Sequence, residues 1–179
     1  GGIRDFTRDI LEVNCNFLDE QFTILVNHWP SRRDGASSTA YKRLEAASRN
    51  IAIMNDIKSK NPKNHILVMG DFNDDPQDES VQKLSSSGLF NPMETLLTNV
   101  RGTTKHKGRW NLFDQILMSY DLLQYRKGKL KFKSAAIYDP DFLKQLRGRY
   151  KGSPYRTFGG RKYTGGYSDH FPVYILLER

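Results

Sequence analysis

The sequence predicts a mixed α/β domain, and three observations carry that expectation. "QFTILVNHW" (residues 21–29) is an apolar run rich in β-branched residues; Leu44, Ala47, Ile51, Met54 and Ile57 then recur at spacings of three and four; and "HILVMG" (65–70) is a second apolar run, ending in glycine. Strand, one-striped helix and strand in that order make a βαβ unit, whose crossover helix returns the chain so that the two strands lie parallel.

The other elements follow in chain order. "RDILEVNCNF" is partly alternating and only "LDE" separates it from the 21–29 run, which is the pattern of a hairpin. "PSRRDGASS" interrupts with Pro, Gly and Ser, so the helix is expected from Thr39 to Lys60, where "NPKN" stops it. After Pro76, "QDESVQKLSSSG" reads as a short helix closed at Gly88, "RWNLFDQILMS" as a strand, and "FPVYILLE" as the last strand. Between those two strands lies a basic insertion, residues 120–166, holding an alternating strand "KLKFK", a short helix "DPDFLKQL" and the stretch "RGRYKGSPYRTFGGRKYTGG". A connection of that length is usually functional or mobile. No repeat and no second hydrophobic stretch divides the chain, so residues 1–179 are expected to form one domain.

Composition narrows the function classes. Hydrophobic residues at 37 % and aromatics at 12 % suit a globular chain rather than a disordered one. No apolar run approaches the roughly 18 residues of a membrane span. The single cysteine, Cys15, excludes an intramolecular disulfide and a cysteine-based zinc site. The net charge of +8 is unevenly placed: residues 1–100 hold 11 Lys and Arg against 14 Asp and Glu, whereas residues 101–163 hold 16 against 4. One continuous basic segment points to an anionic partner.

Acid, amide and imidazole gather where strands stop. Asp71 and Asn73 follow the 65–70 run, Asn27 and His28 close the 21–29 run, Asp114 opens or lies within "FDQILMS", and Ser168, Asp169 and His170 precede the last strand. Sites in open α/β sheets lie outside one set of strand ends. These residue types suit attack of water on a phosphoester: a carboxylate takes the proton from a poor nucleophile, imidazole and carboxamide donate to phosphate oxygens, and a hard cation prefers oxygen ligands. His65, at the start of its strand, is expected on the surface; Trp29 and Trp110 are expected to pack in the core or its rim.

"NHWPS", "GDFND", the Asp of "FDQILMS" and "SDHFPV", in that order, resemble the endonuclease/exonuclease/phosphatase superfamily of metal-dependent phosphoesterases, across nearly the whole chain. The resemblance implies a four-layer α/β sandwich of the deoxyribonuclease-like type, two mixed sheets face to face with helices outside. It implies Asp71 as general base, Asn73 as its partner on the nucleophile, and His170 on the scissile phosphate with Asp114 orienting it. It further implies His28 beside the leaving group, Asp169 as a metal ligand, and Mg2+ as cofactor with Mn2+ or Ca2+ as alternatives. Asn27, Arg156, Arg161 and Lys162 are expected to contact substrate, either nucleic acid or another phosphoester.

The chain departs from the family pattern at its start. The family's opening strand with its Asn, and the Gln-Glu context of its principal metal ligand, have no counterpart upstream of Arg8. The chain therefore reads as an N-terminally truncated domain, of little turnover by itself, whose exposed sheet edge favours homo-oligomers. The alternatives are a non-catalytic anion or nucleic-acid binding module, and a phosphomonoesterase or sphingomyelinase-like hydrolase.

Overall fold

The structure, a computed structural model, describes residues 8–179. Strands β1 (Leu11–Phe17) and β2 (Glu20–His28) pair antiparallel from Phe17↔Glu20 to Leu11↔Val26. Leu18 and Asp19 between them have φ of 47° and 63°, the backbone that a two-residue turn needs to match strand twist. Helix α1 (Ala36–Lys60) crosses over, starting at Ala36 rather than Thr39, and β3 (His65–Asp71) runs parallel to β2. The βαβ expectation is met.

Gly70 shows how closely those strands approach. It pairs with Asn27, has φ of 135°, and a Cβ on it would lie 1.9 Å from the Asn27 carbonyl oxygen. No L side chain fits there.

Beyond β3 come α2 (Glu79–Ser85), β4 (Leu89–Phe90), β5 (Thr104–His106), β6 (Arg109–Asn111) and β7 (Asp114–Ser119). The described residues form a five-stranded sheet in the order β1-β2-β3-β7-β4, with β7 antiparallel to β3. The single strand expected over residues 109–119 is broken. β6 folds back on β5, and β7 begins afresh at Asp114. Leu112 and Phe113 bond instead to the loop after β3: the Leu112 N–H donates to Asp75 Oδ1 at 2.7 Å, and the Phe113 carbonyl accepts from the Phe72 N–H at 2.8 Å.

α1 and α2 bury Ala47, Met54, Ile57, Val81 and Leu84 on one face of this sheet, against Leu25, Ile66, Val68 and Phe72. Burial of each of the larger apolar side chains among these stabilises the fold by about 2 kcal/mol. The other face meets a second sheet, β8 (Lys131–Ile137) with β11 (Val173–Glu178), through Phe22, Leu67 and Met118 on one side and Phe132, Ile175 and Leu177 on the other. The described residues thus supply three layers of the expected four; Tyr174 and Leu176 on the outer face of β11 are exposed. Among them no helix is long and apolar enough to cross a membrane.

Segment 120–166 is more ordered than a long loop. The expected helix "DPDFLKQL" is only a single 3-10 turn, Asp141–Leu143. The backbone after it pairs across the chain: Gln145 and Gly152 donate to Ser153 and Gln145 carbonyls at 2.8 Å, and the Tyr155 N–H donates to the Leu143 carbonyl at 2.7 Å. A second hairpin follows, β9 (Phe158–Gly159) with β10 (Lys162–Tyr163). Positive φ at Gly148, Gly152 and Gly160 makes these tight reversals cheap.

His65 lies 3 % exposed at the start of β3, not on the surface. Its Nε2 stands 3.0 Å from Glu20 Oε2 and its Nδ1 2.8 Å from Asp121 Oδ2. Burial opposes charge on the ring, but the two carboxylates outweigh it and raise the pKa above the ordinary value.

Candidate active site

The site lies at the opposite end of β3 from His65. Register alone brings three candidates into one row, because His28 pairs with Asp71 across β2 and β3, and Asp71 pairs with Asp114 across β3 and β7. His28 Nε2 is 3.5 Å from Asp71 Oδ2. His170 arrives from the loop before β11, its N–H bonded to the Ser168 hydroxyl, and sets Nδ1 2.7 Å from Asp114 Oδ2 and 4.0 Å from Asp71 Oδ2. With Nδ1 donating to Asp114, Nε2 is the ring nitrogen left for a ligand.

Burial raises the Asp71 pKa, and the Asp114 charge adds to it; His170, the Asn73 N–H and His28 pull the other way without cancelling it. For His170, burial works against the imidazolium, while the hydrogen bond and charge of Asp114, then Asp71 and Asp169, win and hold its pKa above the ordinary 6.5. A carboxylate made more basic beside an imidazole whose charged form is favoured is the kind of pairing that base and donor chemistry needs.

Asn73 is buried, with φ of 51°. Its N–H caps Asp71 Oδ1 at 2.8 Å and its carboxamide donates to the Trp29 carbonyl at 2.9 Å, leaving Oδ1 and one N–H of the amide. Trp29 itself stacks on Phe72 at 4.4 Å, which packs the base of the site.

Asn27 does not reach the site. Its carboxamide donates to the Leu25 carbonyl and Asn50, and accepts from Trp29 Nε1 at 2.9 Å and Asn50 Nδ2 at 2.8 Å. Neighbours in a strand point to opposite faces, so with His28 on the site side Asn27 turns to α1 and serves as scaffold rather than substrate contact. Arg156, Arg161 and Lys162 are exposed on the β9–β10 hairpin and its approach, which leads through Ser168 and Asp169 into His170.

Asp169 has an exposed carboxylate. Among the described residues no three His, Cys, Asp or Glu side chains group so as to hold a metal ion. Asp71 and Asp114 are meanwhile turned to histidines. This donor set does not by itself fit Mg2+.

Two residues the sequence did not single out hold the site loop. Arg32 donates through Nε to the Asn73 carbonyl at 2.6 Å, pairs with Asp74 at 2.7 Å and also with Asp78. Buried Arg43 of α1 sets Nε 2.7 Å from the same Asp74 oxygen. For Arg32 the signal was "SRRDG", a pair of cations in the loop after His28; Arg43, inside α1, carried none.

The fold has counterparts elsewhere. A sequence model described as the Endonuclease/Exonuclease/phosphatase family matches residues 3–179. No curated protein matches. Among solved structures, humanized D. rerio TDP2 aligns with a TM-score of 0.58 at 18 % identity, over 95 % of this chain and 60 % of its own. The Bacteroides thetaiotaomicron mannosyl-6-phosphatase aligns at 0.52 with 19 % identity, over 89 % and 51 %. The human Nocturnin catalytic domain, with bound sulfate anion, aligns at 0.50 with 19 % identity, over 92 % and 51 %. At such identities the likeness establishes the fold, and this chain spans only 51 to 60 % of those chains.

Proposed function

This chain belongs to the endonuclease/exonuclease/phosphatase family, and from that premise we propose that it serves hydrolysis of phosphodiesters, nucleic acid foremost, by water attack. The observation that carries the reading is the row His28–Asp71–Asp114 closed by His170. Asp71, its basicity raised, takes the proton of water as the water attacks phosphorus. The Asn73 carboxamide, on a residue whose backbone N–H is tied to Asp71, holds the water or a phosphoryl oxygen. His170 Nε2, on a ring whose charged form Asp114 favours from Nδ1, donates to a phosphoryl oxygen where negative charge accumulates. The P–O bond to the leaving group breaks as the new one forms, and His28 donates a proton to the departing oxygen. Mg2+, with Mn2+ or Ca2+ as alternatives, is the cofactor expected from the family; Asp169 alone does not hold it, and every step above is the chain's own.

The cations of 142–168 support a second reading, a nucleic-acid binder without turnover. A fluorescent oligonucleotide, bis-para-nitrophenyl phosphate and para-nitrophenyl phosphate, each offered with Mg2+ and with EDTA, separate the two. The assay uses this chain and, where its reading frame continues upstream, the extended protein. Diester cleavage in either supports the hydrolase. Oligonucleotide binding without cleavage in both supports the binder, and preference for the monoester contradicts the diester assignment.

A further inference from the structure

Residues 142–168 contain seven Lys and Arg, six aromatic residues and no acid, and are flanked by Asp141 and Asp169. The structure folds this stretch into two hairpins that share Tyr155: its N–H ties it to Leu143 of the first, and its hydroxyl donates to the Thr164 carbonyl of the second. Gly166 lets the arm close, since a Cβ there would lie 2.0 Å from the Tyr155 carbonyl oxygen. The basic residues therefore sit on a fixed frame.

Beside that frame three exposed rings touch edge to face: Tyr138 to Phe142 with centroids at 6.4 Å, and Phe142 to Tyr167 at 5.8 Å. Phe142 and Tyr167 are 55 % and 66 % exposed, a poor use of large rings unless something covers them. The cluster brackets the candidate site along the chain: Tyr167 precedes Ser168–Asp169–His170, and the Tyr138 N–H donates to the carbonyl of Pro172 at 2.7 Å. Two acids lie beside the rings: Asp139 is paired by Arg101 at 3.0 Å and Lys144 at 3.1 Å, and Asp141, exposed, lies 3.8 Å from Lys144.

We propose that Tyr138, Phe142 and Tyr167 form a stacking platform for the bases of a single-stranded nucleic acid, whose phosphates run along the basic hairpins towards His170. Cations that neutralise a backbone, interleaved with rings that take base faces, are what sequence-tolerant single-strand binding uses. A purely polyanionic partner would engage the cations and leave the rings uncovered. The proposal deepens the phosphodiesterase reading by naming its substrate as single-stranded, and rests on that reading only for the placement beside a scissile bond.

The test reads binding, so it stands apart from turnover. Fluorescence anisotropy, with EDTA present, compares a 12-residue oligothymidylate with an abasic 12-mer of equal charge. The chain is expected to bind the thymidylate roughly 10-fold more tightly, loss of one base stack being worth about 5- to 100-fold. Tyr167→Ala with Phe142→Ala should erase that preference while abasic binding and its salt dependence persist, and Phe142→Tyr should keep it. Equal affinity of the unaltered chain for the two oligomers, or a preference that survives the double substitution, overturns the platform. Preferential thymidylate binding with no cleavage in the enzyme assay would leave the platform standing and remove the hydrolase reading.

Discussion

His170 Nδ1 lies 2.7 Å from Asp114 Oδ2, although 56 residues separate them in the chain. Strand register places Asp114 beside Asp71, so one carboxylate both orients the imidazole and raises the basicity of the neighbouring carboxylate. Asp114→Asn keeps the side chain's shape and removes its charge. The His170 pKa, followed by NMR of its ring protons, is expected to fall towards 6.5, and Asp71 to titrate lower with it. Both limbs of a pH–rate profile should move to acid and kcat drop about 100-fold. An unmoved His170 titration would remove Asp114 from this role.

Arg32 supports the same site from behind, by fixing the Asn73 carbonyl. Arg32→Ala is expected to lower kcat about 10-fold with KM nearly unchanged, because a misplaced turn loses orientation rather than substrate contact. Arg32→Lys should restore only part of that, since one ammonium cannot serve Asn73, Asp74 and Asp78 in the guanidinium's fork. A loss confined to KM would instead make Arg32 a substrate contact.

The buried group at the far end of β3 sets a pH optimum for stability. The His65 pKa is raised, so its contribution is complete below the ordinary 6.5 and is lost as pH rises through the raised value. The Glu20 pKa is lowered by the Leu130 N–H and by His65, which overcome burial; its contribution is complete above the ordinary 4.5 and is lost as pH falls through the lowered value. Urea midpoints should therefore be highest between pH 4.5 and 6.5. His65→Gln should cost about 3 kcal/mol there and reduce the fall on the alkaline side. A midpoint that climbs from pH 6 to 8 would contradict this.

β1 carries Leu11, Val13 and Phe17 exposed on one face, and among the described residues its outer edge pairs with nothing. Self-association at micromolar concentration, measured by sedimentation, is the expected result, and Val13→Lys should reduce it. A monodisperse monomer of the unaltered chain would remove the edge as an interface.

Much of this was legible in the sequence because local patterns carry it. The apolar runs, the helical stripe and the polar residues at strand ends announce β2, α1, β3 and the row Asp71, Asp114, His170. What was not legible depends on partners far along the chain. His65 is buried by Glu20 and Asp121, and the 109–119 run breaks because Leu112 and Phe113 bond to residues after β3. Asn27 is instructive, since strand alternation already forbids it and His28 from facing one site, and adjacency in sequence obscured that. The ordered hairpins of 142–168 hid behind a composition that also suits loose loops.

The most direct test of the account is the rate of oligonucleotide diester cleavage with and without Asp71→Asn, in the longest form of the protein that cleaves. kcat is expected to fall about 1,000-fold with oligonucleotide binding retained, as removal of a general base requires. Cleavage that proceeds undiminished in Asp71→Asn would contradict it.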